Sequence, residues 1–156
     1  SINGKFGLAR FPSLQFAPDV LVNFEFNGPT PGLGFTQILM SGQIVIDHAS
    51  LKLDFGSYQP PAGQSFTLVY GATALLDTFK NVANGQDLSE GATFSASGMQ
   101  FKITYKGGAG NDVVITRLAG PTTPTPSPTV SPTPSSTPAP GSRQNKRYLP
   151  MVASES

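Results

Sequence analysis

Cysteine is absent from the sequence, so neither a disulfide framework nor a thiolate metal site can form. That fits an exported bacterial or archaeal protein better than a small disulfide-stapled domain. Tryptophan is also absent, and Tyr58, Tyr70, Tyr105 and Tyr148 are too spread out to form a sugar-stacking platform. Only 12% of the residues are charged, ten basic against nine acidic. Such a balance gives no basic field for nucleic acid and no acidic tract. No run of about 18 apolar residues occurs, which excludes a membrane-spanning helix. Histidine is present once, at position 48. Asp47 precedes it, but neighbours along a strand point to opposite faces, so the two make no dyad. His48 reads as a surface or turn residue. The acids Asp19, Glu25, Asp47, Asp54, Asp77, Asp87, Glu90 and Asp112 are dispersed, and no spacing singles out a glycosidase pair. No nucleophile elbow, phosphate loop or His-rich metal spacing is present. A non-enzymatic protein without a cofactor is expected.

What is present is a pattern of short strands. Turn residues recur at Asn27-Gly28-Pro29, Pro31-Gly32, Ser41-Gly42, Pro60-Pro61, Asn84-Gly85 and Gly107-Gly108. Between them, apolar and polar residues alternate with a period of two. Val22, Phe24 and Phe26 form one such row. Leu51, Leu53 and Phe55 form a second, and Phe66, Leu68 and Tyr70 a third. Met99, Phe101, Ile103 and Tyr105 form the last. One apolar face per strand is the mark of a half-buried sheet. Ile38 to Met40 and Ile44 to Ile46 are apolar on both faces and read as more central strands. The only helical candidate is Ala72 to Val82, with Leu75, Phe79 and Val82 at i, i+4 and i+7.

Four parts are expected: an N-terminal strand segment over 1–16, a β domain over 17–118, an extended linker over 119–142 and a docking segment over 143–156. The first could donate a strand, and Phe6 and Leu8 are its assembly candidates. The linker contains PTTPTPSPTVSPTPSSTPAP, with eight Pro, six Thr and four Ser between Pro121 and Pro140. Such a tract cannot bury a core and favours polyproline II. At about 3.1 Å per residue it would reach roughly 60 Å. It reads either as a plain linker or as an O-glycosylated stalk. For a stalk, the candidate sites are Thr122, Thr123, Thr125, Ser127, Thr129, Ser131, Thr133, Ser135, Ser136 and Thr137. Beyond it the chain turns apolar again, and Tyr148, Leu149, Met151 and Val152 are candidates for docking. The initial Ser1 reads as the start of a mature chain whose leader has been removed.

From Gly107 to Ile115 the sequence reads GGAGNDVVI, which fits the calcium-binding nonapeptide G-G-x-G-x-D-x-U-x. These nonapeptides work in tandem, and calcium takes six to eight oxygens. This chain has one copy, and Asp112 is its only carboxylate. Asp112 is therefore the one metal-ligand candidate, set against a structural reading. In that reading Gly107, Gly108 and Gly110 allow a tight reversal. Asn111 and Asp112 tolerate left-handed backbone, and Val113 to Leu118 pairs antiparallel with Met99 to Tyr105.

The stretch FKNVANGQDLSEGATFSASGMQFKITYKGGAGNDVVIT, Phe79 to Thr116, resembles the closing part of β-strand modules in bacterial autotransporter and adhesin-like extracellular passenger proteins. GLGFTQILMSGQIVIDHASLKLDF (34 to 55) and the turn from Pro60 to Phe66 are similar too. The resemblance covers residues 20 to 117 and implies an all-β domain, either a short β-helix or solenoid or a β-sandwich. It also implies a secreted or cell-surface location in a prokaryote. Together these readings point to a self-assembling filament or coat subunit. Its partners would be copies of itself, joined by strand exchange or tail docking and carrying covalent glycans on the Thr/Ser tract. The alternative is an adhesin or carbohydrate-binding module of a larger secreted protein.

Overall fold

The computed structural model describes residues 7 to 120. The chain is all-β, with no helix among the described residues. It runs through similar sets of three strands in three successive passes. The first pass holds β1 (Leu8–Phe11), β2 (Leu14–Gln15) and β3 (Leu21–Glu25). The second holds β4 (Gln37–Met40), β5 (Gln43–Val45) and β6 (Ser50–Asp54). The third holds β7 (Ser65–Tyr70), β8 (Ala74–Leu76) and β9 (Phe79–Asn81). Four further strands follow: β10 (Asp87–Leu88), β11 (Thr93–Ala96), β12 (Met99–Gly107) and β13 (Asp112–Arg117).

Strands pair between passes, not within them. Leu8 stands beside Gln37 and Ile38 beside Val69, so each partner lies one full pass along the chain. Leu14 stands beside Ile44, and Ile44 beside Leu75. Leu21 stands beside Ser50, and Ser50 beside Lys80. All six of these pairings are parallel. The result is three open sheets, ordered β1-β4-β7-β13-β12-β11, β10-β9-β6-β3 and β2-β5-β8. The strands apolar on both faces, β4 and β5, do lie in sheet interiors, each between two neighbours. After the third pass the direction reverses. β13 lies antiparallel on β7, and β10 lies antiparallel on β9.

The alternating rows place their apolar side chains inward. Val22, Phe24 and Phe26 are buried, as are Leu51, Leu53 and Phe55. Because the passes are in register, like side chains stack. Phe26 lies 4.2 Å from Phe55, ring centre to ring centre and 13° from parallel, and Phe55 lies 5.0 Å from Phe101. Phe66 meets this ladder edge-on, 4.9 Å from Phe26 and 5.3 Å from Phe35. Each such ring pair is worth about 0.5–1.5 kcal/mol beyond the area it buries.

Three expectations need correction. Residues 8–15 are no detached segment, because β1 and β2 are hydrogen-bonded into the same sheets as the rest of the domain. Tyr70 does not continue the inward row of Phe66 and Leu68. The β13–β7 register shifts beside it, Val69 turns inward instead, and Tyr70 is 56% exposed. The helical spacing over Ala72 to Val82 comes from two short strands, β8 and β9, with Asp77 between them at a φ of 66°. The expected β12–β13 hairpin is present, with Ile103 opposite Ile115. Among the described residues, no helix is long and apolar enough to cross a membrane.

Candidate assembly edge

The corners between the second and third strands carry residues in the left-handed region. These are Asp19 in the first pass, Asp47 and His48 in the second and Asp77 in the third. Aspartate tolerates this backbone better than most residues. His48 is thus a turn residue, and its Nε2 lies 4.0 Å from Asp87 Oδ1 at the surface.

The loop that matches the calcium nonapeptide has a clear mechanical role. Asp112 is buried, and its Oδ1 accepts a hydrogen bond of 2.8 Å from the Gly71 N–H at the β7–β8 corner. Gly71 has a φ of 83°, and a Cβ there would meet the Met40 carbonyl oxygen at 2.8 Å. Gly108 has a φ of 53°, and a Cβ there would run into Asp112 Oδ2. The glycines and the carboxylate therefore clamp the last hairpin onto the third pass. Among the described residues, no group of three or more His, Cys, Asp or Glu side chains is placed to hold a metal ion.

A second buried network closes the same end. The Tyr105 hydroxyl donates to the Leu88 carbonyl at 2.6 Å and accepts from the Phe79 N–H at 2.9 Å. Burial pushes its ionisation well above the ordinary tyrosine range. Nearby, the Thr104 hydroxyl donates to Glu90 Oε1 at 2.6 Å and the Tyr105 N–H to Oε2 at 2.7 Å. These two bonds hold the Glu90 carboxyl below its usual value. A groove of about 380 Å³ runs between β6 and β11, lined by Leu51, Leu53, Val82 and Phe94, with Lys52 its only charged side chain. It holds no pair of carboxylates for acid–base work.

Among the described residues, the opposite end is open. β1, β2 and β3 are each the edge strand of their sheet, so all three sheets end on the first pass. In a parallel ladder, a residue's N–H and C=O point to the same side, alternating along the strand. Gln37 N–H bonds the Gly7 carbonyl and Ser41 N–H bonds that of Phe11, so odd residues of β1 face β4. The backbone groups of Leu8 and Arg10 then face outward. Phe16 N–H bonds the Val45 carbonyl, which leaves Gln15 facing outward in β2. Ser50 N–H bonds the Val20 carbonyl and Phe26 N–H that of Asp54, which leaves Leu21 and Asn23 facing outward in β3. Glu25 also faces outward, but its carbonyl is already taken by the Thr36 N–H.

Two exposed leucines stand on this edge among polar residues. Leu8 is 49% exposed and Leu21 36%, and Leu33, in the loop that passes Leu8, is 80% exposed. Asn23 carries a buried Oδ1 with no hydrogen-bond donor among the described residues. Of the assembly candidates from the sequence, only Leu8 lies here. Phe6, Tyr148, Leu149, Met151, Val152 and the ten Thr and Ser glycosylation candidates lie outside the described residues. Leu21 and Asn23 were not singled out by the sequence reading. The signal that could have found them is the recurrence of strand triplets at the spacing of Leu8 to Gln37 and Ile38 to Val69, which makes β3 the outermost of its stack. No protein-family model, curated protein or solved structure matches the chain.

Proposed function

We propose that this chain is a non-enzymatic, extracellular structural module, built as a short β-solenoid, that assembles through the open edges of its first pass. The observation that carries the proposal is the convergence of three open edge strands at one end. Natural proteins guard exposed edges with charge, proline or a covering loop. Here Leu8, Arg10, Gln15, Leu21 and Asn23 present outward backbone groups, and Arg10 is the only charged residue among them. An edge left this bare is a template for adding another strand. The secreted, prokaryotic surface location rests on the composition and on the resemblance of Phe79 to Thr116. The role of β1 differs from the one first expected. Already bonded to β4, it serves as an acceptor edge and not as a free donor strand.

The test is the size distribution of the full chain by light scattering and electron microscopy, beside an Arg10→Pro/Asn23→Pro variant. Proline removes an outward N–H at each site without breaking a bond inside the sheet. Association that is present in the parent and lost in the variant supports the proposal. A parent that stays monomeric at high concentration, or a variant that associates equally well, refutes it.

A further inference from the structure

The two ends of the stack are not equivalent, and the difference decides what can join where. At the far end, the edge of β7 is covered by β13 and that of β9 by β10, both antiparallel. Of the third-pass strands, only β8 keeps an open edge among the described residues. The outermost strands there are β11, β10 and β8. β11 and β10 both run against the direction of the passes, and β11 stands beyond β13 and β12 instead of directly on β7. A second copy therefore cannot seat its far end on β1, β2 and β3 together in the geometry used between passes. Head-to-tail stacking of identical chains, which would grow a filament, is blocked at the far end.

On the basis of the function proposed above, we infer that the open end takes a polypeptide pass of the same three-strand pattern, running parallel to the first pass. Three observations specify this occupant. Every pairing between passes is parallel and joins strands one full pass apart, so the sheets continue outward by the same step. The outward groups of Leu8, Arg10, Gln15, Leu21 and Asn23 lie on all three sheets, and only an extended chain that turns the same corners meets them all. The orphaned Asn23 Oδ1 requires a donor. Within the domain, the register neighbour of Asn23 is Lys52, whose amine lies 3.7 Å from Asp54 Oδ2 and leaves Asn23 Oδ1 unbonded. The joining pass thus carries a hydrogen-bond donor over Asn23 and apolar side chains at its inward positions. The domain ends a stack of such passes and does not propagate one.

The experiment adds the occupant covalently. A copy of residues 36–58 is fused ahead of Ser1 of the full chain. The connection back to Leu8 then matches the length of the loop from Phe26 to Thr36, and Lys52 of the copy falls over Asn23. A second fusion uses a copy of residues 7–29, which places the copy's own Asn over Asn23. Two controls carry Ser in place of the inward residues equivalent to Ile44, Ile46, Leu51 and Leu53, or to Phe16, Val22 and Phe24. Amide hydrogen exchange is then read at Leu8, Arg10, Gln15, Leu21 and Asn23. Slowing of about tenfold or more in either fusion, absent from its control, is the expected result. Unchanged exchange in both fusions overturns the inference, while protected β12 and β13 amides report that the domain itself is folded. Association of the unfused chain through these edges, the outcome expected above, must disappear in a fusion whose five amides are protected. Self-association is scored separately. If it persists in a fusion whose five amides are protected, the inference stands and the assembly role proposed above fails.

Discussion

Replacing Tyr105 by phenylalanine removes one oxygen and tests whether the closed end is held as the geometry implies. That hydroxyl bonds two strands at once, the Leu88 carbonyl of β10 and the Phe79 N–H of β9. Neither group gains water when the oxygen goes, because Tyr105 is 8% exposed and Phe79 and Leu88 are fully buried. A buried donor or acceptor left without a partner costs about 1–3 kcal/mol. The N–H is the dearer of the two, since a carbonyl has a second lone pair. A loss of roughly 2–4 kcal/mol is expected, which at about 4 °C per kcal/mol lowers Tm by some 8–16 °C. Urea unfolding is the direct assay: the midpoint should fall while the slope stays constant, because the buried surface is unchanged. The ionisation of Tyr105 adds a second readout. Its folded-state pKa is raised above the ordinary value of 10, chiefly by burial. A raised pKa means that its contribution is complete below pH 10 and is lost as the pH rises beyond it. The parent should therefore lose stability in alkali more steeply than Tyr105→Phe. A variant within about 0.5 kcal/mol of the parent would show that the hydroxyl contacts do not hold the closure together.

The clamp and the acid-sensitive contact make further predictions. Gly108→Ala should cost roughly 2–4 kcal/mol, combining left-handed backbone strain with displacement of Asp112. In the Gly108→Ala/Asp112→Ala double variant, urea unfolding should show a loss smaller than the sum of the two single losses, since both act on one clamp. Excess calcium should leave the Tm of the parent unmoved, and a rise would return Asp112 to the role of a metal ligand. Glu90 has a lowered pKa, so its contribution is present above the ordinary value of 4.5 and lost as the pH falls through the folded value. Glu90→Gln should therefore flatten the acid limb of the stability curve, and an unchanged limb would show that its bonds to Thr104 and Tyr105 carry no net stability.

Much of the inside of this protein is legible in its sequence, because a strand's alternation reports which face is buried. Val22, Phe24 and Phe26, or Met99, Phe101, Ile103 and Tyr105, announce their side of the sheet without any knowledge of neighbours. The β12–β13 hairpin is equally plain, since its partners are joined by a short glycine loop. Parallel pairing leaves no such local mark. Leu21 and Ser50 are register partners a full pass apart, and nothing in either residue names the other. The corners that would expose the repeat differ in each pass: Pro12-Ser13, then Ser41-Gly42, then Gly71-Ala72-Thr73. Tyr70 misled the alternation because β7 takes two residues against one of β13 between Val69 and Thr67, and that extra residue shows only in the pairing. The GGAGND loop is ambiguous for a different reason. Glycines and an aspartate serve calcium loops and tight reversals for the same reason, access to left-handed backbone beside a carboxylate. The Gly71 N–H, distant in the chain and bonded to Asp112 Oδ1, favours the reversal, and the calcium titration tests it.

The open end was hidden for a related reason. Being an edge is not a property of a strand but of what lies beside it. β3 and β6 are both five residues long and bury alternate apolar side chains in the same way. β6 has neighbours on both sides, and β3 has one. Composition alone suggested low charge and self-association without saying where. The pairing order distinguishes the two ends, because β13 and β10 cover the third pass while nothing in the described residues covers Leu21 and Asn23 of the first. A chain that joined identically at both ends would need matching edges there, and this one has three parallel edges at one end and two antiparallel strands beside the parallel β8 at the other. For the pass proposed above, that asymmetry leaves one end of the domain with the matching parallel edges.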